Sequence, residues 1–266
     1  MVSLQDVQKA AENIKEVVAK VPFVKSDYLS ASKEYEVWLK KCCLQNTGAF
    51  KIRGAYNRIC SLSNEEKSAG VIAASAGNHA QGVAFSAKQF GIKAVIVMPE
   101  STPLLKVNGV KSHGAEVVLK GNNYDEAYAH AKEIASKNGM TFVHPFEDDE
   151  VIAGQGTIAL EILSKKPDID TIVVPVGGGG LISGIAIAAK ALKPSIRIVG
   201  VTAKGAPAMH DSFFAKTPID STSVRTIADG IAVRDTSAKM LSFVSEFVDE
   251  MIQVDDEECE IGRAHV

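Results

Sequence analysis

Hydrophobic positions along the chain fall into short apolar runs that alternate with longer stretches of helical spacing. The apolar runs are rich in β-branched residues and predict strands at Val37–Lys40, Val71–Ala74, Ala94–Met98, Ala115–Leu119, Thr171–Val176, Ile196–Val201 and Met251–Val254. Helical spacing predicts helices at Ala80–Phe90, Tyr124–Asn138, Glu150–Ser164 and Leu181–Leu192. Gly91 and Gly139 directly follow two of these helices, at the position where a left-handed C-cap residue is favoured.

The order of these elements predicts an α/β fold. Strands that are apolar throughout, such as "TIVVPV" at 171–176, indicate burial on both faces of a sheet. Repeated strand–helix units then imply two open, twisted, mainly parallel sheets with flanking helices. Ligands of such folds bind outside the carboxyl ends of the strands, so the loops after Ala74 and Val176 are the candidates for chemistry.

Four consecutive glycines, Gly177–Gly180, follow one predicted strand and open a helix at Leu181. They free the backbone to turn several N–H groups, beside the positive end of the helix dipole, towards a phosphate. A tight strand–helix turn is the alternative, although one or two glycines would serve that purpose. The loop lacks the Lys-Ser/Thr of a P-loop and matches G-x-G-x-x-G poorly, which favours a small phosphate-bearing cofactor over a dinucleotide.

A second loop, "SAGNHAQG" at Ser75–Gly82, connects a predicted strand to a helix. Serine and asparagine side chains with free backbone N–H groups at a helix N-terminus suit a carboxylate. Plain N-capping by Ser75 or Asn78 accounts for the same residues equally well, and the loop by itself leaves both interpretations open.

Lys51 lies in the stretch "TGAFKIRGAYN". A lysine is by default a solvated surface charge. Here the neighbouring Ala49, Phe50 and Ile52 are apolar, and desolvation lowers the pKa of a lysine and leaves an amine able to attack a carbonyl. An amine nucleophile, a phosphate-binding loop and a carboxylate-binding loop together indicate pyridoxal 5′-phosphate acting on an amino acid.

Four motifs in order resemble the threonine/serine dehydratase family of fold-type II (tryptophan synthase β-like) pyridoxal-phosphate enzymes: "TGAFKIRGA", "SAGNHAQGV", "VIAGQGT" and "VPVGGGGLISGIA". The resemblance runs from about Leu4 to Glu258. It implies β-elimination of water from L-threonine, and from L-serine, to give 2-oxobutanoate or pyruvate and ammonia. It also implies a cytoplasmic enzyme that forms a homodimer or homotetramer when full length.

The resemblance assigns roles to individual residues. Lys51 matches the catalytic lysine that holds the cofactor as a Schiff base and moves the α-proton. The cofactor-binding positions are Phe50, Lys51, Asn78, Gly177, Gly178, Gly179, Gly180 and Leu181. The substrate-binding positions are Ser75, Ala76, Gly77, Asn78, His79 and Gln155.

The same resemblance implies two α/β domains with the cofactor in the cleft between them. The large domain is expected to combine residues 1–68, which carry the lysine, with residues 148–266, which carry the phosphate loop. Residues 69–147 are expected to form the small domain with the carboxylate loop.

Serine racemase is the alternative within the same fold. Racemases of this family carry a serine where Ala76 stands and a metal-binding acid where Thr202 aligns, so no proton donor and no metal site are expected here. Both features favour a dehydratase. A serine-preferring dehydratase, and an inactive ligand-binding fragment or relative, are the remaining alternatives.

Composition narrows the range of partners. The net charge of -3 gives no indication of binding to nucleic acid or to an anionic membrane. The longest apolar runs, such as Leu181–Ala189, are too short to span a bilayer. Four cysteines without metal-ligand spacing favour a reducing cytosol over a disulfide framework, and the scattered histidines indicate no zinc site.

The chain departs from the family pattern in two places. Cys42-Cys43-Leu44-Gln45 stands where the family reads Glu-Asn-Leu-Gln, which is expected to weaken local hydrogen bonding near the site; tolerated drift and a sequence error are the alternatives. The family also continues past Met251–Val254 to a Ser-Gly-Gly-Asn turn whose serine binds the pyridine nitrogen. The ending "EIGRAHV" does not resemble the family, and Ile261–Val266 is expected to be translated adapter sequence. The chain as given is therefore expected to be truncated, poorly stable and weakly active.

Overall fold

The structure, a computed structural model, describes residues 1–31 and 34–264. The helices are α1 Leu4–Ile14, α2 Asp27–Ser30, α3 Lys51–Cys60, α4 Asn64–Ala69, α5 Asn78–Phe90, α6 Leu104–Ser112, α7 Tyr124–Asn138, α8 Asp149–Lys165, α9 Gly180–Leu192, α10 Ala208–Ala215, α11 Ala238–Phe247 and α12 Asp256–Ala264. The strands are β1 Phe23–Lys25, β2 Trp38–Lys40, β3 Val71–Ala74, β4 Ala94–Met98, β5 Glu116–Leu119, β6 Thr141–Phe142, β7 Thr171–Pro175, β8 Arg197–Ala203 and β9 Glu250–Val254. The last two residues of the predicted foreign segment Ile261–Val266 lie outside the described residues.

The strands and helices predicted from the sequence are confirmed. Three of them, β3, β4 and α7, have the predicted bounds, and the others differ by at most two residues at an end. Gly91 and Gly139 adopt the left-handed conformation expected of C-caps, each with φ of 65°. Asn123 caps the N-terminus of α7 by accepting a hydrogen bond from the Glu126 N–H at 3.0 Å.

The chain forms two compact units. The three-stranded unit consists of Met1–Val7, Pro22–Lys41 and Gly156–Val266, and the four-stranded unit consists of Gln8–Val21 and Cys42–Gln155. These bounds differ from those of the predicted domains, because residues 8–21, 42–68 and 148–155 group with the four-stranded sheet. The predicted division into a large and a small domain stays a prediction.

The four-stranded unit is built on a parallel sheet with the strand order β5-β4-β3-β6. Its central strands β3 and β4 are buried along their whole length, because helices cover both faces. Side chains alternate between the faces. Ala73 packs on one face in a cluster with Val83 of α5, whereas Ile72 packs on the other in a cluster with Ala131 of α7.

The three-stranded unit contains a parallel sheet with the order β7-β8-β9 and a short antiparallel ribbon of β1 and β2. The prediction that the run 171–176 is buried on both faces is wrong. Ile172 and Val174 are buried, but Val173 between them is 63% exposed. β7 is an edge strand of the described sheet, and one of its faces is open to solvent, so its apolar residues alternate between core and water.

In the four-stranded unit, helix α3 packs closely between α5 and the first part of α8, residues 149–155. A Cβ atom at Gly82 of α5 would lie 3.2 Å from the carbonyl carbon of Lys51. A Cβ atom at Gly154 of α8 would lie 2.6 Å from the Cα of Gly54. Real Cβ atoms essentially never come within 3.0 Å of such neighbours. The backbones of α3 and α8 can therefore approach this closely only with glycines at the crossing.

Within residues 1–31 and 34–264, no helix has both the length and the apolar character needed to cross a membrane. Within the same residues, Cys42, Cys43, Cys60 and Cys259 form no disulfide bond.

Gly154→Ala is expected to lower the free energy of unfolding by about 1–3 kcal/mol, because its methyl group would overlap the backbone of α3. Gly109→Ala in α6 is the matched control, since the nearest described atoms to its new methyl group are those of Gln81 at 3.9 Å. Alanine at that helical position is expected to be neutral or to stabilise by about 0.5–1 kcal/mol. Urea unfolding followed by circular dichroism measures both variants, and equal effects would contradict the close crossing of α3 and α8.

Candidate active site

Lys51 is the first residue of α3 and follows Phe50, the N-cap residue. Its Nζ donates a hydrogen bond to the carbonyl oxygen of Pro145 at 2.8 Å and lies 5.3 Å from the centre of the Phe50 ring. The backbone of Lys51 lies against Gly82 of α5. The amine therefore extends from a fixed point of the backbone to a defined acceptor.

Burial lowers the pKa of Lys51 from 10.5 to about 8. The side chain is not fully enclosed, since part of it remains accessible to solvent. An appreciable fraction of the amine is thus neutral near pH 7–8, and the neutral form is the one that attacks a carbonyl carbon or accepts a proton.

The loop Ser75–His79 leads from β3 into α5. The Oγ of Ser75 accepts a hydrogen bond from the N–H of Gly77 at 3.2 Å, and Gly77 is the N-cap residue of α5. Neither Ser75 nor Asn78 occupies the N-cap position, so plain N-capping does not account for the loop. Because glycine brings no capping side chain, the first N–H groups of α5 are available to an anion. Ala76 packs partly buried against the core of the four-stranded unit.

His79 is almost fully buried, with 3% of its surface exposed. Its Nε2 lies 2.8 Å from the carbonyl oxygen of Val143. Burial, together with the charge of Lys51, lowers the pKa of His79 to about 3, so the imidazole is neutral at physiological pH. Its Nδ1 is buried and has no hydrogen-bond partner among the described residues.

The segment that follows β6 supplies two of the acceptors at the site. The carbonyl of Val143 faces His79 and that of Pro145 faces Lys51. The Nδ1 of His144 accepts hydrogen bonds from the N–H groups of Phe146 and Glu147, at 3.3 and 2.8 Å. Sequence reasoning missed this segment. The rule that ligands bind at the carboxyl ends of parallel strands could have found it, because β6 pairs with β3, but a two-residue strand leaves no hydrophobic run to recognise.

Gln155, a predicted substrate-binding residue, is buried with 1% of its surface exposed. Its Oε1 accepts a hydrogen bond from the N–H of Gly54 at 3.3 Å, in the first turn of the lysine helix. Its Nε2 has no partner in the part of the chain that the structure describes. Gln155 thus contacts the helix that carries Lys51, and its role towards substrate stays a prediction.

The glycine loop Gly177–Gly180 and Leu181 belong to the three-stranded unit. Gly179 has φ of 88° and is the N-cap residue of α9, so the first N–H groups of α9 also meet no capping side chain. A Cβ atom at Gly177 would lie 2.9 Å from Val233, and one at Gly179 would lie 2.9 Å from Met209. Steric demand therefore accounts for glycine at two of the four positions, and phosphate binding by the loop stays a prediction.

The segment just before the lysine stretch is anchored by hydrogen bonds of the Gln45 side chain. Its Oε1 accepts a hydrogen bond from the N–H of Ala19 at 2.8 Å, and its Nε2 donates to the carbonyl of Ala19 at 3.0 Å. Cys42 and Cys43 lie just before it in a short 3₁₀ turn. The weakening expected from these two cysteines stays a prediction.

The model of the family described as pyridoxal-phosphate dependent enzymes matches residues 14–265. The chain belongs to this family. The L-threonine ammonia-lyase of Thermotoga maritima is 48% identical over 258 residues, which cover 97% of this chain and 64% of the relative. Maize serine racemase is 38% identical, with a TM-score of 0.96 over 99% of this chain and 80% of that one. Threonine deaminase isoform 2 of Solanum lycopersicum is 39% identical, with a TM-score of 0.91 over 95% of this chain and 69% of that one.

The predicted α/β fold of this pyridoxal-phosphate enzyme is confirmed, with two parallel sheets and flanking helices. The chain spans 64% of the length of the Thermotoga relative. The side chains of the described residues form no cluster of three histidine, cysteine or acidic groups that could hold a metal ion. Thr202, at the position of the racemase metal ligand, is buried and donates a long hydrogen bond to the Ile252 carbonyl at 3.4 Å.

The residues present fit pyridoxal phosphate. Lys51 offers an amine of lowered pKa to the aldehyde of the cofactor. α5 and α9 are both 13 residues long and begin after glycines, which suits the binding of carboxylate and phosphate groups. In the four-stranded unit, the buried Thr47 Oγ1 and His79 Nδ1 have no protein partner among the described residues, as expected where a ligand or water completes the hydrogen bonding.

Lys51→Met is expected to raise the free energy of unfolding at pH 7 by up to about 3 kcal/mol, because it removes an amine that is costly to charge in the folded state. The pKa of Lys51 is about 8 when folded and near 10.5 when unfolded, so the unfolded chain binds more protons between these values. The difference between wild type and variant should be complete below pH 8 and vanish as the pH approaches 10.5.

Urea unfolding of both proteins across this pH range measures the effect. Lys111→Met, at an exposed lysine of α6, is the control for loss of a surface charge. A difference that does not change with pH would contradict a lowered pKa at Lys51.

Proposed function

We propose that the protein is a pyridoxal-phosphate-dependent L-threonine ammonia-lyase (threonine dehydratase) that also acts on L-serine. The products are 2-oxobutanoate or pyruvate, with ammonia. The observation that carries the proposal is the Lys51 amine, whose pKa is about 8 and which lies in the same unit as the start of α5, where no side chain caps the helix. The 48% identity with a protein named L-threonine ammonia-lyase supports the same reaction.

Pyridoxal phosphate supplies, when bound, a ring that takes up the electrons released at the α-carbon of an amino acid. Lys51 would hold the cofactor through its Nζ, and the same atom would accept the α-proton of the substrate. The β-hydroxyl leaves as water. One water is lost and one is added back, so L-threonine becomes 2-oxobutanoate and ammonia with all atoms accounted for.

The other site residues would bind and orient the substrate and the cofactor. In this proposal the loop Ser75–His79 binds the substrate carboxylate through the N-terminal N–H groups of α5, and Asn78 also contacts the phenolic oxygen of the cofactor. Gly177–Gly180 and Leu181 bind the phosphate at the start of α9. Phe50 lies beside the pyridine ring, and Gln155 lines the substrate pocket.

The proposal also covers the domains, the cellular location, the assembly and the metabolic role of the enzyme. The large domain, residues 1–68 and 148–266, would carry the lysine and the phosphate loop, and the small domain, residues 69–147, the carboxylate loop. The protein would be cytoplasmic and would assemble as a homodimer or homotetramer when full length, in threonine degradation or isoleucine biosynthesis.

Lys51→Ala is expected to abolish both cofactor attachment and turnover, because it removes the amine that does both. Borohydride reduction followed by peptide mass spectrometry should find the cofactor on Lys51 of the wild type. Release of 2-oxobutanoate from L-threonine should fall by roughly 10²–10⁴-fold or more in the variant. Lys111→Ala is the control, and attachment of the cofactor to another lysine would contradict the proposal.

Serine racemase is the second candidate, because maize serine racemase has a TM-score of 0.96 with this fold. Racemisation requires a proton donor on the face of the α-carbon opposite to Lys51. Alanine at position 76 has no proton to give, so the wild type should form no D-serine from L-serine. Ala76→Ser should gain D-serine formation, measured by chiral chromatography, while it still releases pyruvate. D-serine formed by the wild type as fast as pyruvate would favour the racemase.

A further inference from the structure

One short segment of the four-stranded unit contacts both bases of the site, Lys51 and His79. The carbonyl of Val143 is 2.8 Å from His79 Nε2, and the carbonyl of Pro145, two residues later, accepts the hydrogen bond of Lys51 Nζ at 2.8 Å. The turn beyond is closed by the Nδ1 of His144, which accepts hydrogen bonds from Phe146 and Glu147. The position of the Pro145 carbonyl, which accepts the hydrogen bond of Lys51, thus depends on the contacts that hold this segment in place.

The hydrogen bond between His79 and Val143 determines the tautomer of the imidazole. A carbonyl oxygen can only accept a hydrogen bond, so Nε2 must carry the proton. The pKa of His79, lowered to about 3 by burial and by the charge of Lys51, leaves Nδ1 without a proton at physiological pH. The single N–H of the ring is therefore committed to Val143.

The carbonyl of Val143 depends on this donor. Val143 is fully buried. Without the imidazole N–H its oxygen would lose this hydrogen bond inside the protein, and an unsatisfied buried acceptor is unfavourable. The segment would then turn towards another donor or towards water, and the Pro145 carbonyl would move with it.

We propose that His79 is a positioning residue for Lys51: its Nε2–H fixes the Val143 carbonyl and thereby the Pro145 carbonyl on which the Lys51 amine rests. The inference deepens the proposed function and rests on it for the importance of Lys51. It differs from the substrate-binding role implied by the sequence, because the side chain of His79 acts on the lysine rather than on the substrate carboxylate.

Two substitutions distinguish the effect of the His79 hydrogen-bond donor from the effect of the space that the imidazole ring fills. His79→Gln places an amide N–H near the position of Nε2, whereas His79→Met fills similar space without a donor. Competitive acetylation of the full chain without cofactor, read by mass spectrometry across pH, reports the apparent pKa of Lys51. His79→Gln should keep the wild-type midpoint near 8, whereas His79→Met should raise it by at least about one unit as water reaches the amine.

His130→Met, at a partly exposed histidine of α7, is the control and should leave the midpoint of Lys51 unchanged. In the cofactor-loaded enzyme, His79→Met should lower kcat by roughly 10–100-fold with little change in KM, because a misplaced base slows the chemistry. An unchanged midpoint in His79→Met, or a rise in KM alone, would overturn the positioning role.

A measurement on the wild type does not depend on whether the variants fold. The ¹⁵N chemical shifts of the His79 ring should show a proton on Nε2 and none on Nδ1 from pH 5 to pH 8. A ring protonated on Nδ1, or a charged ring, would overturn the proposal. Acetylation is read on the unloaded chain, so failure to attach the cofactor would contradict the proposed function alone.

Discussion

In the four-stranded unit, the packing of the helices around α3 depends on close backbone contacts at glycine residues. Gly54 of α3 meets Gly154 of α8, and Gly82 of α5 lies against the backbone of Lys51. These glycines come from three motifs that are far apart in the sequence. Their glycines allow three helices to approach at one place, and this place fixes the point from which the lysine side chain extends.

Polar contacts also hold α3 in place, in addition to the glycine contacts. The side chain of Gln155 accepts a hydrogen bond from the N–H of Gly54. Farther along α3, the side chain of Asn57 donates hydrogen bonds to the backbone carbonyl and the side-chain carboxylate of Glu150, at 2.8 and 2.9 Å. Arg58 forms an ion pair with Asp148 at 2.9 Å. α3 is thus held along its length by α8 and by Asp148 just before it, so packed helices fix the point from which the Lys51 side chain extends.

The sequence predicts well the features that have a local signal. β3, β4 and α7 were predicted with their observed bounds because their hydrophobic patterns are strong, and Gly139 ends α7 as a left-handed cap. The exposure of Val173 was not predicted, because the position of a strand in its sheet is a tertiary property. The acceptor of Lys51 was also missed, because any residue has a backbone carbonyl and Pro145 carries no mark of this role.

A neutral Lys51 is easier to bury than a charged one, so an occupant that bonds to Nζ in its neutral form relieves the desolvation cost as it binds. Such an occupant recognises the folded chain alone, since the Lys51 amine, the Pro145 carbonyl and the start of α5 are arranged within one folded unit. By mass action, pyridoxal phosphate bound there would stabilise the folded chain by an amount that rises with its free concentration relative to its Kd.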